Sequence, residues 1–146
     1  MIDVENLVFD TVYNQLHSSY TNVNITSGYD EGFATFPTVV VREIDNQSFD
    51  LTATDPCAEN HARLTYEVEV YSDKENTARS ECKQLLSAVD EIMQGMKFRR
   101  IHKNRPLNID KTIYRQYARY EAIVGKPVTY DKGTANERTV YQMYRR

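Results

Sequence analysis

The stretch Arg63-Leu64-Thr65-Tyr66-Glu67-Val68-Glu69-Val70-Tyr71 decides the fold, because polar and apolar residues alternate along it without a break. A β-strand turns successive side chains to opposite faces. Leu64, Tyr66, Val68 and Val70 therefore share one face, and Arg63, Thr65, Glu67, Glu69 and Tyr71 share the other. After a polar loop (Asp73, Lys74, Glu75, Asn76) apolar residues recur at Ala78, Cys82, Leu85, Val89, Ile92 and Met96, the spacing of a helix with one buried stripe. Strand patterns then return over 97–102 and 111–124. The order strand, helix, strands predicts an α+β fold: a mostly antiparallel sheet packed by two helices.

Upstream, Val4, Leu7, Val8, Val12 and Leu16 form the stripe of a first helix expected over 3–18, with Asp3 placed to cap or complement its N-terminus. Val23 and Ile25 mark a short strand. Another strand begins near Phe36-Pro37 and runs over 38–44, where Val39-Val40-Val41 predicts burial on both faces. Asp45-Asn46-Gln47-Ser48 reads as a turn. Gln94-Gly95 reads as the stop of the central helix, followed by a strand with Phe98 and Ile101 as its apolar points. The strand over 111–124 places Tyr114, Ala118, Tyr120 and Ala122 on one face and Ile113, Tyr117 and Ile123 on the other. At about 3.4 Å per residue it would extend more than about 40 Å.

Beyond Gly125 the chain changes character. Two short β-patterned runs flank Asp131-Lys132-Gly133-Thr134-Ala135-Asn136, which predicts a hairpin or extended arm ending in Arg145-Arg146. Residues 1–125 are thus expected to form the α+β domain, and 126–146 an extension that contacts a partner.

Composition narrows the function. The chain has 146 residues, enough for one domain with a sizeable core. A net charge of -3 gives no global attraction to nucleic acid or anionic membrane. No apolar run approaches the roughly 20 residues that span a bilayer, and the first five residues lack signal-peptide character, so a cytoplasmic protein without membrane contact is expected. Cys57 and Cys82 are expected to be unpaired thiols. The chain has 11 Tyr and no Trp, and amphipathic rings at that density suit surfaces that become interfaces.

Chemistry-bearing patterns are sparse. His17, His61 and His102 lie in different elements, without carboxylate or cysteine at ligand spacing, so no metal site is expected. The five glycines are scattered and make no phosphate loop. Glu67 and Glu69 point the same way on their strand, but without a pocket signal they read as a solvated face and not as an acid–base pair. No catalytic residue and no cofactor is assigned. Lys97, Arg99, Arg100, His102, Lys103 and Arg105 form a dense basic segment with Phe98 inside it. Such a segment neutralises a phosphate backbone or meets an acidic protein surface, and the acidic balance of the chain favours protein.

A sheet whose valines and tyrosines interleave with Arg42, Glu43, Glu67, Glu69, Arg115, Arg119 and Glu121 needs cover on both faces, and two helices cover one. Glu67, Glu69, Arg115, Tyr117, Arg119 and Glu121 are therefore assigned to an interface between copies of the chain in a closed ring. Arg99, Arg100, Lys103, Arg105, Tyr130, Tyr141 and Tyr144 are assigned to contact with other partners.

This order of elements resembles the tail terminator and tail-completion proteins of long-tailed bacteriophages. The likeness is carried by the N-terminal amphipathic helix, Phe36-Pro37-Thr38-Val39-Val40-Val41, the Leu64 to Tyr71 strand, the helix from Ala78 to Met96 leading into Phe98, and Tyr114 to Val124 with Arg119-Tyr120-Glu121. It covers roughly residues 1–125; the basic segment and the tyrosine-rich arm are not part of the family's common core. The resemblance implies a virion structural protein, assembled in the host cytoplasm as a ring, usually a hexamer, that ends tail-tube growth and joins tube to neck connector near packaged DNA. Another neck or minor capsid connector role, or a small dimeric ligand-binding α+β module, stays open.

Overall fold

The computed structural model describes residues 1–28, 36–48, 61–104 and 112–144. The element order is α1 (Glu5–Ser19), β1 (Asn24–Thr26), β2 (Thr38–Ser48), β3 (His61–Ser72), α2 (Ala78–Gly95), β4 (Arg99–Asn104), β5 (Tyr114–Gly125), β6 (Val128–Tyr130), β7 (Arg138–Val140) and β8 (Met143–Tyr144). The fold is α+β. The main sheet runs β1-β2-β3-β5-β4, with β8 also pairing β5, and β6 and β7 form a separate hairpin. All its pairings are antiparallel except β1 with β2.

The alternation in β3 works as its pattern predicts. Leu64, Tyr66, Val68 and Val70 enter one core with Val8, Val12 and Leu16 of α1 and Cys82, Leu85, Leu86, Val89 and Met93 of α2. Both helices thus lie on one face of the sheet. Small side chains at Ala118 and Ala122 of β5 leave room there for the rings of Tyr66 and Tyr120. Val39, Val40 and Val41 are all buried, as two-sided burial requires.

Local expectations fail in several places. In α1, Leu7 is exposed because the buried stripe runs through Val4, Val8, Val12 and Leu16. In α2, Leu86 and Met93 join the buried set, while Ala78, Ile92 and Met96 sit at its margin. The polar run Asp45-Asn46-Gln47-Ser48 is not a turn: a bulge between Glu43 and Asp45 lets β2 stay paired with β3 as far as Ser48. A second bulge, between Arg100 and His102, turns Ile101 to solvent.

The stop of α2 also differs from the glycine reading. Gly95 is the last helical residue, and the left-handed position is Lys97 (φ 71°). The Phe98 amide donates to the Met93 carbonyl and the Lys97 amide to that of Gln94, both at 3.0 Å, which closes a Schellman motif. That turn drops Phe98 into the core, where its ring meets Tyr66 edge-on at 5.4 Å. At the other helix start, Asp3 accepts a bond from the Glu5 amide at 3.0 Å.

The C-terminal arm divides in two. Val128, Tyr130 and Val140 of the hairpin are exposed. Residues after Val140 return to the sheet: β8 pairs with β5 at Ile123 and Val124, the Gly125 amide donates to the Gln142 carbonyl at 2.7 Å, and Tyr141 and Met143 pack against the core. The extension expected over 126–146 is therefore joined to the monomer's sheet and core through its residues Tyr141 to Tyr144. Arg145 and Arg146 lie outside the described residues, as does Cys57.

Candidate functional site: the charged face of the sheet

The face opposite the helices carries rows of charge set by strand register. Arg42 of β2, Glu67 of β3 and Arg119 of β5 stand side by side. The Arg42 Nη2 and Arg119 Nε donate to the two oxygens of Glu67, each at 2.9 Å. One row further along, Glu69 accepts from Arg115 at 3.2 Å and from the Tyr71 hydroxyl at 2.5 Å. Both glutamates are buried, at 5% and 1% exposure, whereas Arg119 keeps much of its surface in water. Guanidinium groups also lie over rings, Arg115 over Tyr71 at 5.8 Å and Arg119 over Tyr117 at 5.7 Å. His102 Nε2 is 3.3 Å from the Tyr117 hydroxyl.

Burial alone would raise the Glu67 carboxyl. The hydrogen bonds from Arg42 and Arg119, with that to Glu69, outweigh it and hold Glu67 below the usual carboxylate range. The arrangement fixes charge in place: each acid is tied to guanidinium donors, which preorders arginine heads at the surface.

All six residues assigned to a subunit interface, Glu67, Glu69, Arg115, Tyr117, Arg119 and Glu121, fall on this one face. Among them Arg119 pairs with Glu67 and Arg115 with Glu69 within the chain. Arg42 and Tyr71, which the sequence also places among the polar residues of the sheet, and His102 join the same face, each opposite an assigned residue in the register.

The residues assigned to other partners are dispersed. Arg99 is exposed opposite Glu121, and Lys103 is exposed on the edge strand. Arg100 is committed within the chain, donating to Asp90 of α2 at 3.1 Å beside a 2.8 Å bond from the Tyr120 hydroxyl to the same oxygen. Arg105 lies outside the described residues. Tyr130 is exposed on the hairpin under the Arg138 guanidinium (5.2 Å), Tyr141 is half-buried on the core, and Tyr144 lies 5.7 Å from the His61 ring.

Among the described residues no group of three His, Cys, Asp or Glu could hold a metal ion, and no helix is long and apolar enough to cross a membrane. No family model and no curated protein matches the chain.

Proposed function

We propose that this chain is a virion structural protein that forms a ring, six copies being the usual number in the family it resembles, at the head-proximal end of a bacteriophage tail. In this reading the ring ends polymerisation of the tail tube and offers a docking surface to the neck connector. The observation that carries it is the ion-paired sheet face, where arginines held in place by buried Glu67 and Glu69 form a patterned surface; a separate hairpin exposes Val128, Tyr130 and Val140. A preordered charged face loses little side-chain entropy on docking, and an exposed apolar ribbon gains by being covered. Its partners are then further copies of itself, the tail tube protein and the connector, and its place is the virion after assembly in the host cytoplasm.

Light scattering of the purified chain, alone and mixed with tail tubes, tests the reading when joined to negative-stain imaging. Rings with a central channel seated on one tube end are expected. A two-fold dimer indifferent to tubes overturns it. A ligand-binding module is the second reading, favoured by a groove of about 520 Å³ between Tyr20 at the end of α1 and Glu81 and Leu85 of α2.

A further inference from the structure

On the helix side of the sheet a smaller pocket, of about 180 Å³, opens between the first turns of α1 and the β2–β3 ladder. Glu5, Phe9, Ser27, Val41, Arg42, Glu43 and Tyr66 line it. Glu43 and Tyr66 are direct partners in the ladder, and the bulge that follows Glu43 ends the run of valines there. Tyr66 is 1% exposed, and its hydroxyl lies beside the Glu43 carboxyl without a hydrogen bond of good geometry. A buried hydroxyl without a partner costs free energy that a bound group would recover.

Apart from Arg42, the charged groups at the pocket are acidic. Burial, then a hydrogen bond and the charge of Glu5, then the charge of Asp3, push the Glu43 carboxyl up to about 7, against the small opposing effect of Asn46. Asn46 itself stands 3.5 Å from Glu43 and donates to the Ile2 carbonyl at 2.9 Å. The adjacent Arg42 directs its Nη2 to Glu67 on the opposite face. Tyr66 is held firmly in its neutral form by burial and the same three acids.

We propose that this pocket binds a primary alkylammonium group, with Glu5, Glu43 and the Tyr66 oxygen as acceptors and the Phe9 ring as one wall. An ammonium has three donors and no acceptor, matching the two carboxylates and one hydroxyl. The Tyr66 hydroxyl then donates to Glu43 while accepting from the ligand. An aromatic wall attracts the cation, and Val41 suits the alkyl stem behind it. A divalent metal fits less well, since among the described residues no group of three His, Cys, Asp or Glu forms a ligand set there. Lysine side chains and chain N-termini both carry this chemistry.

Amide chemical-shift titration of the full chain with n-butylammonium chloride tests the site. Shifts should centre on Glu43 and Tyr66, and because Glu43 must lose its proton, affinity should be about tenfold higher at pH 8 than at pH 6. Glu43→Gln and Tyr66→Phe should each weaken binding about tenfold, with melting curves showing that both variants fold. Glycinamide, compared at pH 7, separates the two natural sources: tighter binding of the butyl probe points to lysine, tighter binding of glycinamide to an N-terminus. Absence of binding at both pH values, equal affinity at pH 6 and 8, or equal binding of tetramethylammonium, which has no N–H donor, overturns the proposal.

Discussion

Arg119 Nε donates to the buried Oε2 of Glu67 at 2.9 Å, from a strand that pairs with β3 in unbroken register. Arg119 therefore belongs to the fold as well as to any docking surface. Arg119→Glu would set a second carboxylate against Glu67 and should destabilise the monomer by about 1–3 kcal/mol, read by urea unfolding. Arg119→Met should cost less, because Arg42 still satisfies Glu67. The acid limb follows from the same pairs. Glu67 is depressed in the folded state, so its contribution is present above the ordinary glutamate value and is lost as pH falls through the folded one.

Glu43 works in the opposite sense. Its carboxyl is raised from 4.5 to about 7 in the folded protein, so the folded state holds a proton that the unfolded chain releases. Stability is full below about pH 4.5 as far as this group is concerned and declines as pH rises to about 7. Melting temperatures across that window should fall in the wild type and flatten in Glu43→Gln.

The two helices offer a paired control on the core. Leu85 is buried, and Leu85→Ala should cost about 2–5 kcal/mol. Leu7 is exposed, and Leu7→Ala should change stability by less than about 0.5 kcal/mol. Chemical denaturation distinguishes these directly.

Lys97 occupies a left-handed conformation that a side chain resists. Lys97→Gly should stabilise the fold by about 0.5–1 kcal/mol, since the Schellman bonds are made by backbone groups that the substitution leaves in place. A raised thermal midpoint would be the readout.

The arm predicts a split response. Truncation after Val140 removes β8 together with Tyr141 and Met143 and should lower stability by about 1–2 kcal/mol. Val128→Ser and Val140→Ser should leave stability within about 0.5 kcal/mol, since both side chains are exposed. Loss of partner binding by these two variants would assign the hairpin to the interface.

Period and polarity made β3 and α2 legible in the sequence. Val68 and Leu85 announce which side faces the core. What the sequence conceals is register. The bulge after Glu43 preserves strand pairing through a polar run that imitates a turn, and Arg42, Glu67 and Arg119 become neighbours only once three strands are aligned. The Glu5–Glu43–Tyr66 pocket is hidden for the same reason. Glu43 looks like one more polar residue in an alternating strand until the bulge and the start of α1 bring a second acid beside it. Lys97 escapes notice because glycine is the expected residue at a left-handed helix end.

The central strand has a consequence for synthesis. β3 is flanked by β2, which precedes it, and by β5, whose residues reach back from Tyr114 opposite Ser72 to Gly125 opposite His61. A growing chain that has finished α2 already carries the apolar half of the sheet, yet one whole side of β3 still lacks its hydrogen-bonding neighbour. Closure must wait until β5 has left the ribosome, and such long-range pairing is slow and prone to off-pathway association. Production of this protein should therefore respond to translation speed, temperature and chaperone supply more than its modest length implies, and chains cut short before Tyr114 should accumulate as insoluble material.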